Sequence, residues 1–336
     1  MEPEKIKTSI KVDIIRPTPK IISVVIPVFN EEKNILVLYA SLTDVLHPLQ
    51  SLYDYELIFI NDGSEDNSWL CLTELAVKDK RVKALNFSRN FGHQIALRAG
   101  YDRACGDAVI SMDADMQHPP EMIPNMIGRW KKGAEIVCAQ RSNRNDGFLK
   151  KITANVFYKL LDTVSEIKIP QHVADFRLLD KKVVSIITSN KEKNLYLRGM
   201  VAWTGFKQDI VSCDYLDRHA GKTGYSWKKM WKLAFDGLTG FSMMPLKTAA
   251  YAGVLVIASG LAMFAFITAE ALIFKAHYPL FKWLVTIIYI FMGVQFLLLW
   301  LLGEYIGRMY DQQRDRPLYI VTEKINFNEK DLRNEY

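Results

Sequence analysis

Along the first half of the chain, short apolar runs alternate with stretches of helical periodicity. Residues 21–28 (IISVVIPV) are a β-branched run that predicts a buried strand. Residues 34–46 then carry the spacing of a helix. A second strand over 55–60 (YELIFI) is stopped by the polar turn Asn61-Asp62-Gly63-Ser64 and followed by a helix over 69–78. A third strand spans 81–87, a helix with small residues on one side spans 92–104, and a fourth strand spans 108–112. A fifth strand is expected at 136–139, a helix at 149–161, and a strand followed by a helix within 177–187. This alternation implies an α/β fold, a mostly parallel Rossmann-like sheet flanked by helices.

The pattern changes towards the C-terminus. Residues 227–247 are roughly amphipathic (Met230, Trp231, Leu233, Ala234, Leu238, Phe241) and carry several lysines, as a helix in a membrane interface would. An ordinary packed helix would show the same spacing; the position just before an apolar stretch favours the interface. Residues 248–274 and 284–302 are mainly apolar and each long enough for the ~30 Å hydrocarbon core of a bilayer. The link between them is short, so they are expected to form a two-helix transmembrane hairpin. Lys228, Lys229, Lys232 and Lys247 precede the first span and Arg308, Arg314 and Arg316 follow the second, whereas the link holds only Lys275 and Lys282. The positive-inside rule then puts the large domain on the cytoplasmic side of the inner membrane, as a multi-pass protein. The expected organisation is an arm over 1–20, an α/β domain over 21–226, the interfacial segment, the hairpin and a cytoplasmic tail over 303–336. Such a hairpin leaves helix surface for packing, so a homo-oligomer is expected.

Composition adds little until position is considered. A chain of 336 residues accommodates one large α/β domain with an appendage. The formal charge of +6 suits work beside anionic lipid or on phosphates. No basic tail or RNA-binding signature accompanies it, which argues against nucleic acid as a partner. Cys71, Cys105, Cys138 and Cys213 are far apart, without a C-x-x-C pair, and read as reduced thiols rather than a zinc site or disulfide framework.

The candidate chemistry sits where strands end. In parallel α/β sheets ligands bind beyond the carboxyl ends of the strands. Asn30-Glu31-Glu32, Asn61-Asp62-Gly63-Ser64 and Asp113-Ala114-Asp115 all fall there. Asp113 and Asp115, with Gln117 two places on, offer oxygen ligands to a hard cation such as Mg²⁺ or Mn²⁺, which would neutralise a departing diphosphate. A lone D-x-D is more often a solvated turn; two further acidic strand ends reverse that balance. Arg141, Arg144, Lys150 and Lys151 follow the fifth strand. They would hold an acceptor phosphate or the leaving diphosphate, or else form a solvated loop. Arg198, His219 and Lys222 are weaker candidates of the same kind, and His93 and His118 read as structural or supporting residues.

Taken together, four motifs carry a resemblance: Val25-Ile26-Pro27-Val28-Phe29-Asn30-Glu31-Glu32, Asn61-Asp62-Gly63-Ser64, Ser88-Arg89-Asn90-Phe91-Gly92-His93-Gln94 and Asp113-Ala114-Asp115-Met116-Gln117. The chain resembles family 2 glycosyltransferases of the GT-A fold. More narrowly it is similar to the polyprenyl-phosphate glycosyltransferases: bactoprenol glucosyltransferases, dolichyl-phosphate mannose synthases and the aminoarabinose transferase of lipid A modification. Ala174-Asp175-Phe176-Arg177-Leu178-Leu179-Asp180, Leu197-Arg198-Gly199, Gly303-Glu304-Tyr305-Ile306-Gly307-Arg308 and Arg316-Pro317-Leu318-Tyr319 extend it, over roughly residues 21–321.

The resemblance implies a nucleotide-sugar donor, a polyprenyl-phosphate acceptor at the membrane, and a bound Mg²⁺ or Mn²⁺. By motif, Pro27, Phe29 and Glu31 would line the base and ribose pocket and Asp62 would accept a hydrogen bond from the base. Asp113, Asp115 and Gln117 would hold metal and diphosphate, and Asp175 would sit near the reacting sugar; of the cations read from position alone, Arg141 and Arg144 are favoured for phosphate over Arg198. Asn61 stands where relatives often carry Asp, which puts a carboxylate contact there in doubt. The first expectation is inverting transfer of glucose from UDP-glucose to undecaprenyl phosphate. GDP-mannose-dependent synthesis of a lipid-phosphate mannose and a catalytically silent membrane subunit are the alternatives. A processive polysaccharide synthase would carry Q-x-x-R-W where this chain has Leu197-Arg198-Gly199-Met200.

Overall fold

In the computed structural model the residues described are 20–141, 173–190, 192, 195–213, 280–314 and 316–327. One sheet of eight strands organises them, in the order β7-β5-β6-β4-β1-β2-β3-β8. The strands are β1 (Lys20–Val28), β2 (Tyr53–Asn61), β3 (Val82–Phe87), β4 (Ala108–Ser111), β5 (Ile136–Arg141), β6 (Val173–Asp180), β7 (Gln208–Cys213) and β8 (Val321–Ile325). The helices are α1 (Ile35–Leu46), α2 (Ser68–Lys78), α3 (His93–Arg103), α4 (Ile123–Lys131), α5 (Lys181–Ser189), α6 (Leu197–Trp203) and α7 (Leu280–Gln313).

The four central strands are mutually parallel, as their apolar runs predict. They are covered on both faces, so their residues are buried almost without alternation: Val24, Val25, Ile26, Leu57, Ile58, Phe59 and Ile60 are all fully buried. Each such side chain stabilises by about 1.5–3 kcal/mol relative to exposure. One apolar layer joins α1, α2 and α4 to the sheet, and the other joins α3, α5 and α6 to it.

Two strands break the parallel order of this mostly parallel sheet. β6 runs antiparallel between β4 and β5, and β8 adds an antiparallel edge to β3. Strand β5 is therefore separated from the parallel core and returns to parallel pairing only with β7. The β4–β6 register sets Ser111 opposite Arg177. Continued two residues past the end of β4, it carries Asp113 alongside Asp175.

Helix α7 runs for 34 residues and includes the second expected span, 284–302. Taken over the described residues alone, no helix is both long and apolar enough to cross a membrane. The side chains of much of α7 fall outside those residues, as do the first expected span, the interfacial segment, the arm and the helix expected at 149–161.

Candidate active site at the strand ends

Pro27 lies buried next to the carboxyl end of β1. The carbonyl of Val25 accepts from Met112 N–H, so Pro27, of the same parity, turns its ring nitrogen towards the β4 side. The β1–β4 ladder has ended there, its last pair being Val25 with Ser111. A residue lacking an N–H costs nothing at such a position. Beyond it Phe29 is 44% exposed, an aromatic surface facing out of the strand ends. Asn30 adopts a left-handed φ of 57°, which asparagine tolerates. Its N–H donates to Ser64 Oγ (2.9 Å) and its Oδ1 accepts from Glu65 N–H (2.8 Å), tying the first and second acidic loops together. Glu31 N–H donates to Ser68 Oγ (3.0 Å), and Glu31 Oε2 accepts from Asn34 Nδ2.

Asp62 is buried, and its carboxylate serves the loop that leads into α3. It accepts from Phe91 N–H (2.7 Å) and Gly92 N–H (3.0 Å). Gly92 has φ 107°, open to glycine and strained for other residues, and no side chain caps α3 at that position. Burial raises the Asp62 carboxyl above its ordinary value, against the two backbone bonds that lower it. Gly63 also has positive φ, and a Cβ there would stand 2.4 Å from the carbonyl carbon of Arg89. The second and third motifs are thus pressed directly together. Asn61 bonds sideways: Ser64 Oγ donates to its Oδ1 (2.5 Å) and its Nδ2 donates to Asn86 Oδ1 (2.8 Å).

The loop after β4 is shaped by its own side chains. Asp115 Oδ1 accepts from Gln117 N–H (3.1 Å), an Asx turn that supports the left-handed φ of 64° at Met116. Asp113 N–H donates to His118 Nδ1 (3.0 Å), and the His118 ring stacks on Phe176 of β6. The Asp113 side chain is about a third exposed, yet its Oδ1 is shut from solvent and accepts no hydrogen bond.

Asp175 is held from three sides. Arg177, two residues along the same strand and so on the same face, donates to it from the fully buried interior. Arg198 of α6 grips it with two bonds, Nε at 3.1 Å and a terminal nitrogen at 3.0 Å. His93 Nε2 lies 3.5 Å from Asp175 Oδ2 and 3.5 Å from Asp113 Oδ1. Burial alone would raise the Asp175 carboxyl; Arg198, His93 and Arg177 outweigh it and hold it well below the usual carboxylate range. His93 moves the other way: enclosure and Arg198 lower it, but Asp113 and Asp175 raise it above an ordinary histidine.

The structure brings together Asp113, Asp175, Arg198 and His93 and, through Gly92, the loop on Asp62; Asp115 lies in the same loop as Asp113 and bonds to Gln117 N–H. Asp175 and Arg198 form one ion pair here, so Arg198 is committed to a carboxylate. Arg141 ends β5, but its side chain and all of Arg144 lie outside the described residues. His93, expected as a structural or supporting residue, touches both Asp113 and Asp175, and Arg177 is not singled out by the sequence. The only signals were a histidine opening the helix after β3 and an arginine at alternate spacing from Asp175 in a buried strand.

Among the described residues no three His, Cys, Asp or Glu side chains cluster closely enough to hold a metal by themselves. The donor set still fits a hard cation. The buried Oδ1 of Asp113 accepts no hydrogen bond, with His93 Nε2 beside it at 3.5 Å, and magnesium is commonly held by one or two carboxylates plus substrate phosphates.

Comparison with known proteins gives the family. The model of glycosyl transferase family 2 matches residues 23–187. A Bacillus subtilis (strain 168) protein described as an uncharacterized glycosyltransferase is 46% identical, over 92% of this chain and 96% of that one. The prophage bactoprenol glucosyl transferase homolog of Escherichia coli (strain K12) is 42% identical, over 89% and 98%. The bactoprenol glucosyl transferase of Shigella phage SfII is 42% identical, over 91% and 99%. A solved glucosyl-3-phosphoglycerate synthase from Mycobacterium tuberculosis, in complex with Mn²⁺ and UDP-glucose, aligns at TM-score 0.42 and 19% identity, over 64% and 75%; no residue is carried across from it. With near-full-length relatives at this identity, the chain belongs to glycosyl transferase family 2 and is a glycosyltransferase with that family's GT-A α/β fold.

Proposed function

We propose that this enzyme transfers a sugar, with glucose from UDP-glucose as the first assignment, onto a polyprenyl phosphate at a membrane surface. The single observation that carries the reading is the meeting of Asp113, Asp175 and His93 beyond the end of β4, beside the loop held by Asp62. The names of the bactoprenol relatives, aligned over nearly their whole length, support the lipid acceptor. Exposed apolar side chains on α7 (Leu284, Ile288, Phe291, Leu299 and Leu302) support a membrane or helix partner there, since water-facing proteins rarely leave such a stripe uncovered. We place the second of two membrane spans in α7, the first over 248–274, and the catalytic domain on the cytoplasmic face.

In this reading Pro27, Phe29 and Glu31 border the nucleotide, and Asp62, which fixes the loop 88–92, would also accept a hydrogen bond from the base. Asp113 and Asp115, with Gln117 beside them, would hold Mg²⁺ or Mn²⁺. Such a cation supplies charge neutralisation for the diphosphate leaving group. A phosphate acceptor is already anionic at neutral pH and needs little general-base help. Catalysis then rests on positioning and on stabilising developing charge. Attack by the phosphate oxygen at the anomeric carbon inverts configuration. Asp175, kept ionised by Arg198, His93 and Arg177, presents fixed negative charge towards a sugar ring that gains positive character. Arg141 and Arg144 remain our candidates for the acceptor phosphate, and Arg198 orients Asp175 as well as standing near phosphate.

A panel of nucleotide-sugars (UDP-glucose, UDP-N-acetylglucosamine, GDP-mannose and a UDP-aminoarabinose derivative) assayed with undecaprenyl phosphate tests this reading. Nucleoside diphosphate release from UDP-glucose, dependent on the lipid, is expected. Release from another donor alone would reassign the sugar, and release from none would reject the function.

A further inference from the structure

The chain that leaves α7 returns to the catalytic sheet and contacts it on the donor side. Strand β8 is the edge strand on β3. Ser88 N–H donates to the carbonyl of Ile320 (3.0 Å), and Thr322 Oγ1 donates to the carbonyl of Asn86 (3.1 Å). The ring of Tyr319 stacks on Phe87 with centroids 5.0 Å apart, and Phe87 meets Phe91 edge-on at 5.6 Å. Tyr319 OH donates to Asp102 Oδ2 (3.2 Å), whose other oxygen accepts from Arg98 Nε (2.9 Å). Arg98 in turn donates to the carbonyls of Thr188 and Asn190. Tyr319 therefore grips both the start of the loop 88–92 and the far end of α3, the helix that opens with His93.

A second line of contacts reaches the first acidic loop. Asn30 N–H donates to Ser64 Oγ, Ser64 to Asn61 Oδ1, Asn61 Nδ2 to Asn86 Oδ1, and Asn86 Nδ2 to Glu323 Oε1 at 3.1 Å. Every donor in the series points the same way, from the turn at Asn30 to the acceptor on β8. Asn61 makes this possible: an Asp in its place would have no hydrogen to give Asn86.

We propose that residues 319–323 are a positioning clamp for the donor side of the site, so that the segment following α7 sets donor affinity. The loop 88–92 is pinned between Asp62 on one side and this clamp on the other, where Tyr319 stacks on Phe87 and Thr322 and Glu323 bond to Asn86. The proposal rests on the reading that the donor lies at the ends of β1, β2 and β4, and adds an element that no strand-end motif contains.

The test uses the full chain in lipid nanodiscs, with Tyr319→Ala, Glu323→Ala and Glu323→Gln variants. Amide exchange over residues 86–92 and steady-state kinetics with UDP-glucose and undecaprenyl phosphate are read together. The first two variants should exchange faster in that loop and raise the donor KM about five-fold or more, the scale of at least one lost hydrogen bond, with acceptor KM and kcat within about two-fold. Glu323→Gln retains an acceptor oxygen and should restore the donor KM. Unchanged exchange in the loop overturns the clamp. Faster exchange with unchanged donor KM, or with a fall in kcat instead, overturns its link to the donor. A wild-type enzyme that turns over no donor in the panel above rejects the functional reading, and the donor role of the clamp with it, whereas the exchange measurement still decides the clamp itself.

Discussion

His93 Nε2 stands 3.5 Å from the carboxylate of Asp175, bridging it to Asp113 at the same distance. His93 is the first residue of α3 and Asp175 lies within β6, so helix, antiparallel strand and D-x-D loop converge on one point. Replacing the imidazole removes a contact common to both carboxylates without touching the loop's backbone bonds to Asp62. His93→Ala should lower kcat about 10²-fold, in the range of a lost electrostatic contact at a reacting centre. Donor KM should move less than kcat. A variant with wild-type kcat would show that the bridge has no part in turnover.

Asp175 is the charged hub of the same cluster. Asp175→Asn leaves Arg177 buried opposite a neutral partner, a change on the order of 3–5 kcal/mol of stability for a broken buried pair. The folded carboxyl is held below its ordinary value, so its contribution is fully present above the unfolded pKa of about 3.9 and is lost as pH falls through the depressed folded value. Thermal unfolding at pH 7 should separate the wild type from the variant clearly, and the gap should narrow at pH values below about 4. A gap that widened on acidification would contradict this ion-pair assignment.

Gly63 offers a test that leaves every candidate chemical group in place. Its φ of 65° and the 2.4 Å approach of a hypothetical Cβ to the Arg89 carbonyl carbon leave no room for alanine. Gly63→Ala should displace the loop 88–92, destabilise the fold by about 1–3 kcal/mol and raise donor KM at least as much as the clamp variants. Equal stability and kinetics would mean that the contact between the second and third motifs is looser than described.

These cases also show what the chain made legible. Strands β1 to β4 were readable because each is a β-branched or apolar run buried on both faces, and turn residues mark their ends. The antiparallel course of β6 was not: a fully buried strand carries the same residues whichever way it runs. Strand β8 (Val321–Ile325) is short, exposed over its middle residues and only weakly apolar, so it read as tail. The acidic strand ends were legible as a group. Their internal bonding was not, because the commitment of Asp62 to the Phe91 and Gly92 amides, or of Arg198 to Asp175, depends on approaches across the fold rather than on spacing.

In the proposed function, carboxylates of the D-x-D loop act through a divalent cation on a nucleotide-sugar diphosphate. The most direct measurement is transfer of labelled glucose from UDP-glucose into an organic-extractable product with undecaprenyl phosphate, by wild type and Asp115→Ala, with Mg²⁺ or Mn²⁺ and with EDTA. Labelled lipid should form only with wild type and metal, and fall by about 10²-fold or more in the variant or with chelator. Near-normal product from Asp115→Ala in EDTA would contradict the central claim.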